Sequence, residues 1–552
     1  MRRIYHVARA DFLQRVRSRR LLVVLAVVAY LGYLVNVGAI ELAYQIEMGD
    51  ALTNVHGANT ASFVGLKAGM TAAAVLLFGG FYLMKGTLER DRQTNVDQLV
   101  GTTPVTDREF LAGKWLSNIG YGVLVLATLG FATVVNHAVH GVGPTKPLAL
   151  LGPIVAFGLP LCALVGAVSL LFESVERLRG TGGNVGYLLL ATVALASLAS
   201  AEGTPPSELP LWIKASDLLG HVAVYTLTAD PLTAAVPAAD GVLPSFGLLE
   251  GDQTFTYDGQ SWPIWIYVQR AGLVLPALVV VLVAAVPFRR VRSVTSSEQT
   301  GRLSRLTALL PAVWSGRENS DPDETAADSQ PVDSVSLTPV EDRSTGGFWR
   351  LVAAEVRLAV RGRRWWWYAG VAALVLVPIG TLLRGGLASS HATVTRQVLV
   401  PLAFVWPIFV WSEMGVRTTR HRLTALVLSS KYPVEQLVAE WIAGIAVAVS
   451  VSSGLGALFV VSGQPALLVG LASGAVFAPS LALAAGTWSQ SSWLFELSYL
   501  MLWYVGPLNG ATPVDFLGST AASIETGVPL AFLGVGIALF GAALLHRKLE
   551  LR

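Results

Sequence analysis

Apolar runs of about 20 residues recur along this chain, separated by short charged stretches, and each is long enough to cross ~30 Å of hydrocarbon. Twelve runs stand out. Six lie near 21–39, 63–85, 115–138, 148–172, 182–200 and 264–287. Six more lie near 366–383, 395–412, 438–462, 466–486, 492–506 and 527–545. In a bilayer every backbone N–H and C=O must find its partner within its own segment, so each run predicts a helix. The expected fold is an all-α polytopic membrane protein with about 12 transmembrane helices.

The polar stretches carry a second pattern. "ARADFLQRVRSRR" (Ala8–Arg20) and "VAAEVRLAVRGRR" (Val352–Arg364) each precede the first run of their half, and Asp11 matches Glu355 at an offset of 344. Val7, Ala10 and Leu13 share one helical stripe, as do Leu351, Val352 and Val356. The spacing suits basic helices lying on the membrane surface. Their arginines Arg15, Arg17, Arg19 and Arg20, and Arg357, Arg361, Arg363 and Arg364, would meet lipid phosphates, or would serve as plain anchors.

A charged insert follows the second run of each half: Leu88–Trp115 and Arg417–Trp441. Glu109 matches Glu435 and Trp115 matches Trp441, at an offset of 326. Ordinary connections are about 4–6 residues long, so these inserts read as helix–turn–helix elements, with Pro104 and Pro433 marking the breaks. Thr106 or Asp107 is placed to cap the helix that enters the third run. Two halves built alike and starting on the same side make a parallel repeat. The expected organisation is 1–288, then 289–346, then 347–552.

Composition agrees: the chain is 53% hydrophobic and 14% charged, with a mean hydropathy of +0.57. With both termini inside, 33 of the 39 Lys and Arg residues fall in cytoplasmic segments, as the positive-inside bias requires. Segment 201–262 is then external, with eight acids and one lysine, Lys214. Segment 289–346 is acidic and poor in large apolar residues, the composition of a disordered linker. Within it Arg302–Trp314 fits a surface helix or a frayed tether equally. No cleavable leader is expected, because the first apolar run continues through Leu21–Val37. The single cysteine, Cys162, permits no intrachain disulfide.

Few residues suggest chemistry. His137 and His140 lack a third metal ligand. Lys67, Arg270 and Arg396 stand near external span ends, where long side chains snorkel to the interface. Glu496 stands near the cytoplasmic end of its run, and no charge sits at a midplane. Trp365–Trp366–Trp367 read as an interfacial aromatic belt. No phosphate loop of the G-x-x-x-x-G-K-[ST] kind occurs, and no basic aromatic stripe points to nucleic acid.

The first insert reads Glu89, Arg90, Leu99, Thr103, Pro104, Val105, Thr106, Glu109, Phe110, Leu111, Gly113 and Lys114. Placed after a basic surface helix, this resembles the permease subunits of ABC transporters of the type-2 exporter kind. The second copy fits more loosely through Glu413, Leu426, Ser429 and Ser430, with Glu440 in place of the lysine. The resemblance implies two six-span permease units fused in one chain of a plasma membrane. It implies that Glu89–Lys114 and Glu413–Glu440, including Pro433 and Glu435, couple to two copies of a separate ATPase subunit. That subunit would use the ATP; this chain would be no enzyme and bind no cofactor directly. The transported substrate is not legible in the sequence, and export is implied by the resemblance alone. Two other readings stand beside this one, a twelve-span secondary transporter and a non-transporting membrane scaffold.

Overall fold

The computed structural model describes residues 2–48, 51–94, 96–196, 201, 203–239, 241–247, 253–288, 347–363, 365–383, 395–421, 423–430 and 432–551. Segment 289–346, expected to be a linker, and Arg364 lie outside the described residues, and for Arg19 and Arg20 only the backbone is described.

Eight helices among the described residues are long and apolar enough to cross a membrane. They are Ala61–Arg92, Asp107–His140, Pro147–Ser174, Ile264–Ala284, Trp365–Leu383, Pro433–Val461, Ala466–Ser489 and Val528–Glu550. This is the architecture of a mostly helical, multi-pass protein. At the amino terminus Arg2–Val16 and Leu21–Asn36 meet at 78°, a bend that lets one helix run flat and the next plunge.

The runs at 182–200, 395–412 and 492–506 hold shorter helices. Thr181–Ala196 has 16 residues and Ser492–Trp503 has 12. The third is split into Val400–Val405 and Ile408–Trp411. Pro407 between these pieces has no N–H to donate, so the α-helical ladder cannot run through it unbroken.

The all-α expectation needs a correction. Two segments far apart in sequence build a four-stranded sheet, in the order β3-β1-β2-β4. Strands β1 (Glu41–Met48) and β2 (Ala51–Gly57) form an antiparallel hairpin. Strand β3 (Pro244–Gly247) pairs antiparallel with β1, and β4 (Gln253–Phe255) parallel with β2. Along β1, Glu41, Leu42, Ala43, Tyr44 and Ile46 are buried and Gln45 is exposed, so the first half of the strand is covered on both faces. Helices Leu211–Ser216 and His221–Ala235 complete this small α/β cap.

The cap is clamped to the helices beneath it. Within the cap, Tyr44 and Thr228 share a hydrogen bond between their hydroxyls. Lys67 donates to Glu41 at 3.1 Å and to Asn59 at 2.7 Å. Arg270 pairs with Asp217 at 3.0 Å and lies over the Phe157 ring at 4.8 Å. Asp217 in turn accepts from the backbone N–H groups of Gly220 and Ala223, at the start of His221–Ala235. Lys67 and Arg270 therefore do not snorkel. Both are buried, because the cap brings carboxylates to them.

Candidate coupling surface

The amino-terminal helix Arg2–Val16 packs along the start of Asp107–His140. The approach is close enough that a Cβ on Gly113 would stand 2.7 Å from the Val7 Cβ and 3.0 Å from the Ile4 carbonyl oxygen. Only glycine admits that crossing. At its centre Asp11 gathers four partners: Arg15 at 2.9 Å, Arg90 at 3.0 Å, Lys114 at 2.8 Å and the Ser117 hydroxyl at 2.6 Å. Lys114 reaches Asp91 as well, at 2.6 Å. Burial pushes the Asp11 carboxyl up, but Arg15, Lys114 and the hydrogen bonds from Lys114 and Ser117 outweigh it and hold the group at about 2. The first insert is thus riveted to the amino-terminal helix through Asp11.

The insert itself is two short helices, Thr87–Gln93 and Val96–Gly101, followed by the turn that holds Pro104. The long helix breaks at Gly86, whose φ of 96° is left-handed backbone that suits glycine. Buried Glu173 accepts from the N–H groups of Gly86 and Leu88, satisfying donors exposed by the break. Thr106 and Glu109 form a reciprocal capping box at the head of Asp107–His140, as the sequence suggested. Arg3 donates to the Pro104 carbonyl at 2.7 Å and stands 3.7 Å from Glu109.

The second half repeats the logic with different residues. Glu355, on the helix Phe348–Val360, pairs with Arg417 at 3.0 Å and accepts from Gln436 at 3.1 Å. Gly415 takes a φ of 70°, and the buried carboxylate that accepts from its N–H, at 3.0 Å, is Glu440. That explains the residue at this position: the carboxylate caps a broken helix, where Lys114 in the first half serves Asp11. Arg363 clamps Glu413 with two hydrogen bonds, at 2.9 and 3.3 Å. Pro433 stands at the first position of Pro433–Val461, where a missing N–H costs nothing.

The residues singled out from sequence therefore divide. Arg90, Lys114, Glu109, Glu413 and Glu440 are held in internal contacts, and Lys114 and Glu440 are buried. Leu99 is 71% exposed and Leu426 68% exposed, each within its insert. Glu89 and Glu435 are exposed as well. Arg17, Arg357 and Arg361 are exposed, whereas Arg15 turns inward to Asp11 and the Tyr121 ring. Asp11 and Glu355 were visible as a matched pair of acids; the distant partners of Asp11, namely Arg90, Lys114 and Ser117, were not.

A third cluster joins the two halves. Glu496, fully buried, accepts from Thr181 at 2.9 Å and from the Asn184 amide. Thr181 also shares a hydrogen bond with Ser412 at 3.0 Å. The Asn184 carbonyl oxygens are engaged too, the side-chain one by Lys85 and the backbone one by Tyr82 at 3.0 Å. Above this cluster the rings of Phe78 and Tyr504 meet at 5.5 Å. Among the described residues no group of three or more His, Cys, Asp or Glu side chains is placed to hold a metal. His137 instead bonds the Thr145 hydroxyl at 3.1 Å.

Compared with models of known families and with curated proteins, the chain has no significant match.

Proposed function

We propose that this chain is the membrane-spanning permease of an ATP-driven exporter of the ABC kind, with two six-span units fused in parallel. The observation that carries the reading is the paired arrangement Asp11–Arg90 and Glu355–Arg417. In each half a surface-helix acid holds the insert that follows a glycine break, and an exposed leucine, Leu99 or Leu426, is left at the insert. Such a unit moves as one body when a partner pushes it. Two copies of a separate ATPase subunit would dock on the inserts, burn the ATP and drive the halves between states. Net transport then requires the partner to favour one permease state over the other. In this reading the membrane is the plasma membrane and both termini are cytoplasmic. The chain itself has no ATPase chemistry, and no nucleic acid is involved.

Co-purification in mild detergent tests this. Leu99→Asp plus Leu426→Asp is expected to abolish retention of an ATPase subunit that the wild type holds. Retention unchanged by both substitutions would contradict the docking role.

One observation favours a second reading. An ionisable group inside a helical bundle is costly and commonly serves transport, and Glu496 is such a group. A secondary carrier driven by an ion gradient would use it directly. Purified chain in vesicles, without any ATPase, separates the two: the permease moves no solute down an ion gradient, the carrier does.

A further inference from the structure

At the second insert two basic side chains lie beside the paired charges. Around the first, Arg90 and Lys114 end on Asp11 and Asp91. Around the second, Arg417 ends on Glu355 and Arg363 on Glu413. The side chains of Arg420 and His421 have no ion pair or hydrogen bond among the described residues, and both are exposed. They line a cavity of about 210 Å3 together with Leu358, Glu413, Val416 and Arg417.

The depth of this cavity is marked by its neighbours. Arg363, which clamps the Glu413 wall, lies two residues before Trp365, and Trp365 and Trp366 are exposed at the head of the Trp365–Leu383 helix. Tryptophans at a span end sit at the headgroup level of a membrane. Leu358, exposed on the surface helix, supplies an apolar lip. A basic cavity at headgroup depth, beside an apolar lip, matches the two ends of a phospholipid.

We infer that this cavity holds the phosphate of an anionic phospholipid of the inner leaflet. Arg420 and His421 supply donors to the phosphate oxygens, and Arg417 adds charge from behind. The acyl chain leaves past Leu358. The site lies within the second insert and shares Glu413 and Arg417 with the coupling arrangement, but it uses neither Leu99 nor Leu426 and does not depend on the docking reading.

The test uses the full chain in detergent with phosphatidylglycerol, phosphatidylcholine or sn-glycerol phosphate added, and native mass spectrometry as the readout. The wild type should retain phosphatidylglycerol in preference to phosphatidylcholine. Arg420→Ala plus His421→Ala should lower that retention at least fivefold, given roughly fivefold for one arginine near a membrane surface. Arg108→Ala plus Arg177→Ala removes exposed charge from the first half and should leave it unchanged. Equal losses in both double variants would mean general surface attraction and overturn the site. Displacement of the lipid by equimolar sn-glycerol phosphate would show a soluble-anion site and overturn the lipid assignment. Because the side chains of Arg420 and His421 make no ion pair or hydrogen bond among the described residues, their loss should leave the melting temperature of lipid-free protein in place.

Discussion

Asp11 is the residue on which the geometry around the first insert turns. Its buried carboxylate faces three cations, and removing one partner of a buried ion pair costs about 3–5 kcal/mol, because the others are left uncompensated. Asp11→Asn should therefore lower the melting temperature clearly and free Arg2–Val16 for proteolysis. The sign of its pH dependence follows from a folded pKa of about 2 against an ordinary 3.8. A depressed carboxyl contributes its stability above 3.8 and loses it as pH falls towards 2, an effect of about 2 kcal/mol. Protease resistance of the amino-terminal helix should accordingly persist to pH 4 and fail below it. On the other side of the molecule Lys67 offers the parallel case. Lys67→Met alone leaves Glu41 charged and buried, so it should destabilise the cap by about 3 kcal/mol or more. Lys67→Met with Glu41→Leu should recover most of that loss, as measured by thermal unfolding of the pair of variants.

At the scale of elements, the long helices were legible because a run of about 20 apolar residues has one solution in hydrocarbon. The capping box at Thr106 and the break before Pro433 were legible too, since both are local signals within a few residues. The sheet was not. Its hairpin, residues 41–57, needs strands from 244–255 to complete it, and β4 has three residues. Pairing at that distance leaves no periodic trace. Distance in the chain also hid the inward fates of Lys67 and Arg270, whose carboxylates are Glu41 and Asp217, whereas Arg15 turns to Asp11 one helical turn away. The crossing of the amino-terminal helix at Gly113 makes a sharp prediction at this scale. Gly113→Leu should drive Arg2–Val16 off its seat, because one of the atoms in the way is the Ile4 backbone carbonyl. Gly152→Ala on Pro147–Ser174, where a Cβ meets nothing within 4 Å, should not. Cysteine accessibility along residues 7–13 reports the difference.

Across the whole molecule, Glu496, Thr181, Asn184 and Ser412 tie one half to the other at the end of the bundle that carries the inserts. If the halves rock, these contacts break first. Thr181→Cys with Ser412→Cys places two thiols where the hydroxyls now stand 3.0 Å apart, so oxidation should cross-link the halves and reduction release them. The cross-linked chain should lose transport and regain it on reduction. A fully active cross-linked chain would show that this contact does not move. The central claim, that the two inserts are gripped by an ATP-hydrolysing partner, is tested most directly by placing photo-reactive probes on Leu99→Cys and Leu426→Cys in native membranes. The account predicts a cross-link from both positions to one nucleotide-hydrolysing polypeptide, strengthened or weakened by nucleotide. No such polypeptide at either position would contradict it.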